Sequence, residues 1–315
     1  MKKKYEVIEE EIERLKKKGL KFKDEDNARN IILRENHYYI TEGYEDIFID
    51  LKQSTKRYEV YEEDTYFEEL YAIYKLDRDL KGLIFDYINI VETNIKSYVA
   101  YAFSSAYGNN DYLTRENFRP ENRYDKKFKK LKNQINANLD RNFLNPKSDV
   151  KTYLDKNNFI PLWVLVKVFT FGNIVNFYNL MKLQEKQEVA QALNISPYSL
   201  GDYLRMLNIV RNICAHGDIL FNIRLNLKIK LRDCNYHKQL GIKKVNNCYE
   251  CGMNDLFAIM IILKRLLPPE EFNEMFIKIE RLLGNVKNEL DGLSYENLLR
   301  VMGFPKNYDL LNSLI

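Results

Sequence analysis

The sequence predicts a mainly α-helical protein, a bundle of long helices interrupted by one small β-hairpin and loop insertion. Three observations carry that prediction. Apolar residues recur at spacings of three and four over long stretches, as in helices that bury one face. Glycine and proline number only 12 and 7 in 315 residues, too few for the many tight turns of a sandwich or barrel. Strict apolar/polar alternation, the mark of a half-buried strand, is confined to one segment after residue 222. With 45% hydrophobic residues, including 23 Tyr and 17 Phe, the chain can bury a sizeable core and is not expected to be disordered.

Residues 4 to 18 read as a charged helix with Tyr5, Ile8, Ile12 and Leu15 on its apolar face and Gly19 as its stop. A short helix follows from about Glu25 to Leu33. The aromatic segment His37 to Tyr44 predicts a packed turn in which tyrosines cover the core. Residues 1–65 are therefore assigned to an N-terminal helical and aromatic region packed on a core domain, 66–315.

From Phe67 to Tyr107 the stripe Leu80, Leu83, Ile84, Tyr87, Ile88, Val91, Ile95, Val99 and Phe103 predicts the central helix of the bundle, stopped by Gly108. Glu92 and Lys96 stand four apart on it, a spacing that makes either an ordinary surface pair or an auxiliary to an active-site groove. Residues 109–158 are the most polar stretch. Within it Phe128, Leu131, Ile135 and Leu139 trace another helix, and Lys126, Lys127, Lys129, Lys130 and Lys132 crowd five cations into seven residues. Such a run is a solvated face or a phosphate contact. Pro161-Leu162-Trp163 starts a further helix running through Val168 and, after Gly172, Ile174 and Phe177, with Trp163 filling the core.

Leu204, Leu207, Val210 and Cys214 form the apolar stripe of a helix over about Leu200 to Ala215, closed by Gly217. That helix carries Arg211-Asn212-Ile213-Cys214-Ala215-His216. A permanently charged guanidinium can hold a phosphate bidentately, and an imidazole can move protons near neutral pH. Together they suit metal-free cleavage of an RNA phosphodiester. Positions five apart differ by about 140° around a helix, so two such helices from two copies would make a better site than one. The same R-x4-H spacing recurs at Arg232 and His237, without a helical stripe, and is treated as a decoy.

Beyond the motif, Ile223, Leu225, Leu227, Ile229 and Leu231 alternate with Arg224, Asn226, Lys228, Lys230 and Arg232, predicting a strand with one basic face. Arg224, Lys228 and Lys230 would extend a phosphate-binding surface beside the motif. Cys234-x2-His237 and Cys248-x2-Cys251 then read either as a small structural zinc site or as incidental residues of a hairpin. Strand and loop together form an insertion over 222–253. Two last helices flank Pro268-Pro269, over Asp255 to Leu267 and Glu270 to Leu283.

The formal charge of +4, from 49 basic and 45 acidic residues, does not by itself announce a nucleic-acid partner, so the local clusters carry that argument. The basic start runs into Glu-rich helix and not an apolar run, predicting no signal peptide. Leu256 to Leu263 and Ile160 to Val166 are too short to span a bilayer. A cytoplasmic protein without a membrane partner is expected, and four Cys suit a reducing compartment.

Several stretches in order carry a family resemblance: Leu15 to Gly19 with Tyr38-Tyr39 and Gly43-Tyr44; Asp77-Arg78-Asp79-Leu80 through Val91-Glu92 to Ala100-Tyr101; Pro161-Leu162-Trp163-Val164 through Phe171-Gly172; Arg211-Asn212-x-Cys214-Ala215-His216; and Met302-Gly303-Phe304-Pro305. The chain resembles the Abi-like proteins of bacterial abortive infection systems, of the AbiD and AbiF type, within the HEPN superfamily. That resemblance implies a HEPN-type helical bundle, frequently a homodimer, in which paired R-x4-H helices form a composite ribonuclease site. Arg211 would bind the scissile phosphate, His216 would act as general base or acid, and Asn212 would orient them. The ribose 2'-hydroxyl would attack, with no cofactor for catalysis. Members of this kind act as toxins in phage defence, sometimes beside a neutralising RNA or protein partner. A catalytically silent RNA-binding or scaffolding HEPN protein is the alternative.

Overall fold

The computed structural model describes residues 8–41, 43–55, 58–110, 112–145, 147–226, 231 and 234–314, and among these the chain forms 14 α-helices and one two-stranded sheet. The mainly α fold is thus the one the apolar periodicity predicts.

Helix α1 (Ile8–Lys17) buries Ile12 and Leu15, and Gly19 behind it takes φ +96°, a left-handed turn that glycine adopts without a Cβ clash. The predicted start of this helix lies outside the described residues. Asp24 caps α2 (Glu25–Glu35) by accepting the Asn27 N–H at 2.9 Å. The tyrosine-rich segment then forms the single turn α3 (His37–Ile40), which corrects the expected tyrosine lid. On one turn only one side can face inward. Ile40 takes that place, leaving Tyr38 and Tyr39 exposed, while Tyr44 alone among these tyrosines is buried.

Helix α4 (Phe67–Tyr107) runs 41 residues, about 60 Å. Its start is fixed by the fully buried Glu69, which accepts the backbone N–H groups of Tyr66, Asp291, Gly292 and Leu293 at 2.9 to 3.1 Å. A buried carboxylate is tolerable only with such a set of donors. The helix packs against three later helices, over Leu183–Ala192, Pro197–His216 and Pro269–Lys287, and so forms the spine of the molecule.

Helix α5 (Asp125–Phe143) presents Phe128, Leu131 and Ile135 inward and its lysines outward. Helix α6 (Asp149–Asn157) follows a Ser148 cap. The predicted helix from Pro161 is broken in two, α7 (Leu162–Leu165) and α8 (Phe171–Leu180), because Phe169 is extended and Thr170 caps a new start by accepting the Asn173 N–H. Leu162 and Leu165 occupy the core side of that first turn, so Trp163 remains 42% exposed and does not fill the core. Helix α9 (Leu183–Ala192) leads to α10 (Pro197–His216), which has Ser196 as cap, Pro197 in its first turn and Gly217 at φ +78° behind it.

The basic strand expected after α10 is absent from its described part. Ile223 and Leu225 are buried and Arg224 and Asn226 exposed, as the alternation requires, but among the described residues no strand pairs with them. The Leu225 N–H instead donates to Asn254 O and the Leu231 N–H to Met253 O, both at 2.7 Å, so a surface of loop carbonyls replaces the ladder. Residues 227–230, 232 and 233 lie outside the described residues, and Lys228, Lys230 and Arg232 with them. Beyond α11 (Asn235–Gln239), strands β1 (Lys244–Val245) and β2 (Cys248–Tyr249) pair antiparallel around Asn246-Asn247, both at positive φ, which is the expected small hairpin in minimal form.

Helix α12 (Leu256–Leu266) is apolar all round and buried from Leu256 to Leu263, so it is an interior helix; no helix among the described residues is long and apolar enough to cross a membrane. Helices α13 (Pro269–Lys287) and α14 (Tyr295–Met302) complete the bundle. Gly303 caps α14 at φ +83°, and a Cβ there would overlap the buried side chain of Asp255, which accepts the Gly252 N–H at 2.8 Å and the Ala258 N–H at 2.9 Å. Both left-handed backbone and overlap oppose Gly303→Ala. It is expected to cost at least about 2 kcal/mol, read as a lower urea midpoint; an unchanged midpoint would show that Asp255 can move aside.

Candidate functional site

The far end of α10 carries the R-x4-H residues. His216 is its last residue and exposed, and Asn212 is also exposed. Arg211 is half-buried, with its guanidinium 5.4 Å over the ring of Phe85 on α4. Its Nε is buried without a hydrogen-bond partner. An arginine serving only the fold ordinarily satisfies such a donor, because leaving it bare costs about 1–3 kcal/mol. The helix sets Arg211 and His216 about 140° apart around its axis and about 7.5 Å apart along it. One chain therefore brings them to the same helix end and not to one point.

Neighbouring residues fix that end firmly. Lys81 of α4 donates to the Gly217 carbonyl at 3.3 Å and pairs with Asp77 at 3.1 Å. Asp77, wholly buried, accepts the Leu220 and Phe221 N–H groups at 3.0 and 2.6 Å and the Tyr44 hydroxyl at 2.7 Å. Tyr44 also stacks on Phe221, their ring centroids 5.5 Å apart. Burial, with the Asp77 charge beside it, pushes the Tyr44 phenol far above its usual value, so it stays a donor. The contacts Lys81 to Gly217 and Phe85 to Arg211 run in opposite directions along the two helices, so α10 lies antiparallel on α4.

Two other residues of the region have defined states. Cys214 is pushed up to about 12, first by burial and then by Asp77, so it is a neutral thiol and no nucleophile. Glu92 and Lys96 form a half-buried pair at 2.7 Å on α4. Glu92 stands seven residues, about 10 Å, along α4 from Phe85, away from the Arg211 guanidinium.

The lysines of α5 are exposed, as expected of a solvated or phosphate-binding face. Lys126, Lys129 and Lys130 border one cavity, and Lys127 and Lys130 border a larger one with residues the sequence reading did not single out, Arg119, Lys186 and Arg205. Lys132 turns away to the Leu113 carbonyl at 3.3 Å. Lys186 donates to the Asn179 carbonyl at 2.7 Å, and its ammonium is pulled down to about 8, by desolvation first and then by Arg119 and Arg205. Its only sequence signal was a lysine on an amphipathic helix. Arg224 is occupied by the Val301 and Ile223 carbonyls at 2.9 and 2.8 Å, so it pins the chain to α14.

Among the described residues no group of three or more His, Cys, Asp or Glu side chains is arranged to hold a metal ion. His237 is fully buried, stacked on Tyr249 with centroids 4.3 Å apart, its Nε2 2.7 Å from the Gly252 carbonyl and its Nδ1 3.3 Å from Cys234 Sγ. Bonding to a carbonyl places a proton on Nε2. Cys248 is exposed on the hairpin, and burial pushes Cys251 up to about 12, with Asp255 and Glu250 adding to it. The imidazole thus acts as a packing centre for the loop. The same burial keeps the imidazole of the second R-x4-H spacing away from solvent.

Compared with protein families, the chain matches the model of the Abi-like proteins over residues 31–222. The match runs from α2 through α10 and just past His216 to the Phe221 anchor. No curated protein and no solved structure matched the chain.

Proposed function

The chain is a member of the Abi-like protein family, and from that premise we propose that it is an abortive-infection protein of phage defence acting as a metal-independent endoribonuclease of the HEPN type. The observation that carries the reading is the end of α10, where a half-buried Arg211 with an unsatisfied Nε and an exposed His216 share one anchored helix terminus. A guanidinium at that terminus can take a phosphate bidentately.

In this reading Arg211 holds the non-bridging oxygens of the scissile phosphate, and Asn212 orients phosphate or imidazole. His216 takes the proton of the adjacent ribose 2'-hydroxyl. The 2'-oxygen then bonds to phosphorus as the bond from phosphorus to the 5'-oxygen breaks, giving a 2',3'-cyclic phosphate and a 5'-hydroxyl. A protonated imidazole supplies the leaving oxygen with its proton. The angular separation of the two side chains favours a homodimer, in which a second α10 provides that acid and completes the site. A toxin of this kind needs restraint in its own cell, by a neutralising RNA or protein partner.

The test is cleavage of total RNA by the purified chain in the presence of a chelator, comparing wild type with His216→Ala and Arg211→Ala. Equal cleavage by all three would remove the site. An inert wild type that still binds RNA would favour the silent binder, a reading supported by the basic cleft described above.

A further inference from the structure

The opposite end of α10 holds a second feature that the cleavage chemistry does not use. A cavity of about 780 Å³ lies between α5, α9 and the first turns of α10, walled by Arg119, Lys127, Lys130, Lys186 and Arg205. The one acidic side chain in its wall, Asp202, is already paired with Arg205. Beyond that pair four cations remain, of which Arg119 also meets Glu121 at 3.0 Å, a local excess in a chain whose formal charge is only +4. Like charges held together with one of them desolvated, as Lys186 is, cost stability unless an anion neutralises them.

Two shallower cavities continue the same wall. One of about 620 Å³ shares Lys130 and Gln134 and extends past Lys126, Lys129 and Arg141. Another of about 280 Å³ shares Arg119, Lys186 and Tyr198 and extends to Lys182 and to Glu121, the partner of Arg119. The cations therefore form a track and not a single pocket. Tyr198, at the junction of two cavities, is 75% exposed, a large ring left in solvent in the middle of a basic surface. The first turn of α10, a 20-residue helix, opens into the same cavity and adds the positive end of its dipole.

We propose that this track is a groove for single-stranded RNA, in which Arg119, Lys127, Lys130 and Lys186 follow successive phosphates and Tyr198 stacks a base. A basic channel with an exposed aromatic is the means by which proteins grip unpaired strands without reading sequence. A free nucleotide would fill one cavity, whereas the shared walls continue the charge in both directions. The inference rests on the reading of RNA as substrate and adds where the strand is held. The axis of α10 measures about 30 Å from groove to His216, the length of about nine stacked nucleotides. A strand gripped at one end of the helix would so reach the chemistry at the other.

The test measures anisotropy of a labelled single-stranded RNA of about 15 nucleotides on the His216→Ala chain, so that cleavage cannot intervene. Lys127→Glu with Lys130→Glu, both on the exposed face of α5, is expected to weaken binding at least about tenfold and to lower the salt slope by about two. Tyr198→Ala should weaken it at least about fivefold, while Lys306→Glu, at a distant exposed site, leaves it unchanged. Unaltered affinity and slope in the double variant would overturn the groove, as would displacement of the RNA by excess AMP, which would make the cavity a nucleotide pocket. If the groove variants lose RNA while wild type cleaves nothing, the ribonuclease reading alone fails. If wild type cleaves and the groove variants bind as before, the groove alone fails.

Discussion

His216→Ala and Arg211→Ala are each expected to lower RNA cleavage by at least about a hundredfold, the usual contribution of a positioned acid or base and of a phosphate clamp. The readout is the rate at which 5'-hydroxyl ends appear from total RNA. The two variants should fail differently. His216 is exposed at a helix end and makes no part of the core, so its loss should leave the thermal midpoint unchanged and remove only proton transfer. Arg211 lies against Phe85, so its loss also removes packing and is expected to lower stability slightly. Arg211→Lys separates the roles. It keeps a cation but not the planar fork, and should recover binding better than rate. If each copy supplies one imidazole, His216→Ala mixed in excess with wild type should lower activity below that of the wild-type fraction alone. Activity in simple proportion to the wild-type fraction, in a mixture shown to exchange subunits, would place the whole site within one chain.

Much of this molecule could be read from sequence where one segment decides its own structure. The 41-residue stripe of α4 and its Gly108 stop, the stripe and Gly217 end of α10, and the apolar run of α12 are local patterns that tertiary packing reinforces, although α10 starts at Pro197, three residues before the expected Leu200. Prediction failed where a distant partner decides. Ile223 to Asn226 has the alternation of a strand, yet Leu225 exchanges its backbone N–H and carbonyl bonds with Asn254 of a loop, which local periodicity cannot foresee. Trp163 reads as core by size, but on a one-turn helix Leu162 and Leu165 win the interior. Spacing alone left the four Cys and His residues open between a zinc site and incidental residues of a hairpin, and the burial of His237 against Gly252 and Tyr249 is visible only in the fold. The basic track was legible only in part. The lysines of α5 announce themselves, but Arg119, Lys186 and Arg205 come from three other segments and meet them only in the fold. Asp77 stood inside a stretch carrying the family resemblance, and its reason emerges only when Tyr44, Leu220 and Phe221 are seen around it.

Asp77→Ala is expected to cost about 3–5 kcal/mol of stability, the range for removing one partner of a buried charge network. The substitution strips acceptors from the Leu220 and Phe221 N–H groups and the Tyr44 hydroxyl, and leaves the Lys81 ammonium with only the Gly217 carbonyl. Each of those donors lies in or near the interior, where water replaces a lost acceptor poorly. Asp77→Asn should cost roughly half as much. Its amide oxygen can still accept the two backbone N–H groups, but the amide nitrogen faces Lys81 as a donor against a cation. Urea unfolding gives the energies, and hydrogen exchange at Leu220 and Phe221 locates the change, with both amides expected to exchange faster in either variant. Cleavage in Asp77→Asn should fall more than its stability, because the first residues to loosen are those that hold the chain just beyond His216 against α4. A wild-type urea midpoint in Asp77→Ala would mean the network contributes nothing to the fold; wild-type activity in Asp77→Asn would mean that His216 does not depend on the anchored helix end.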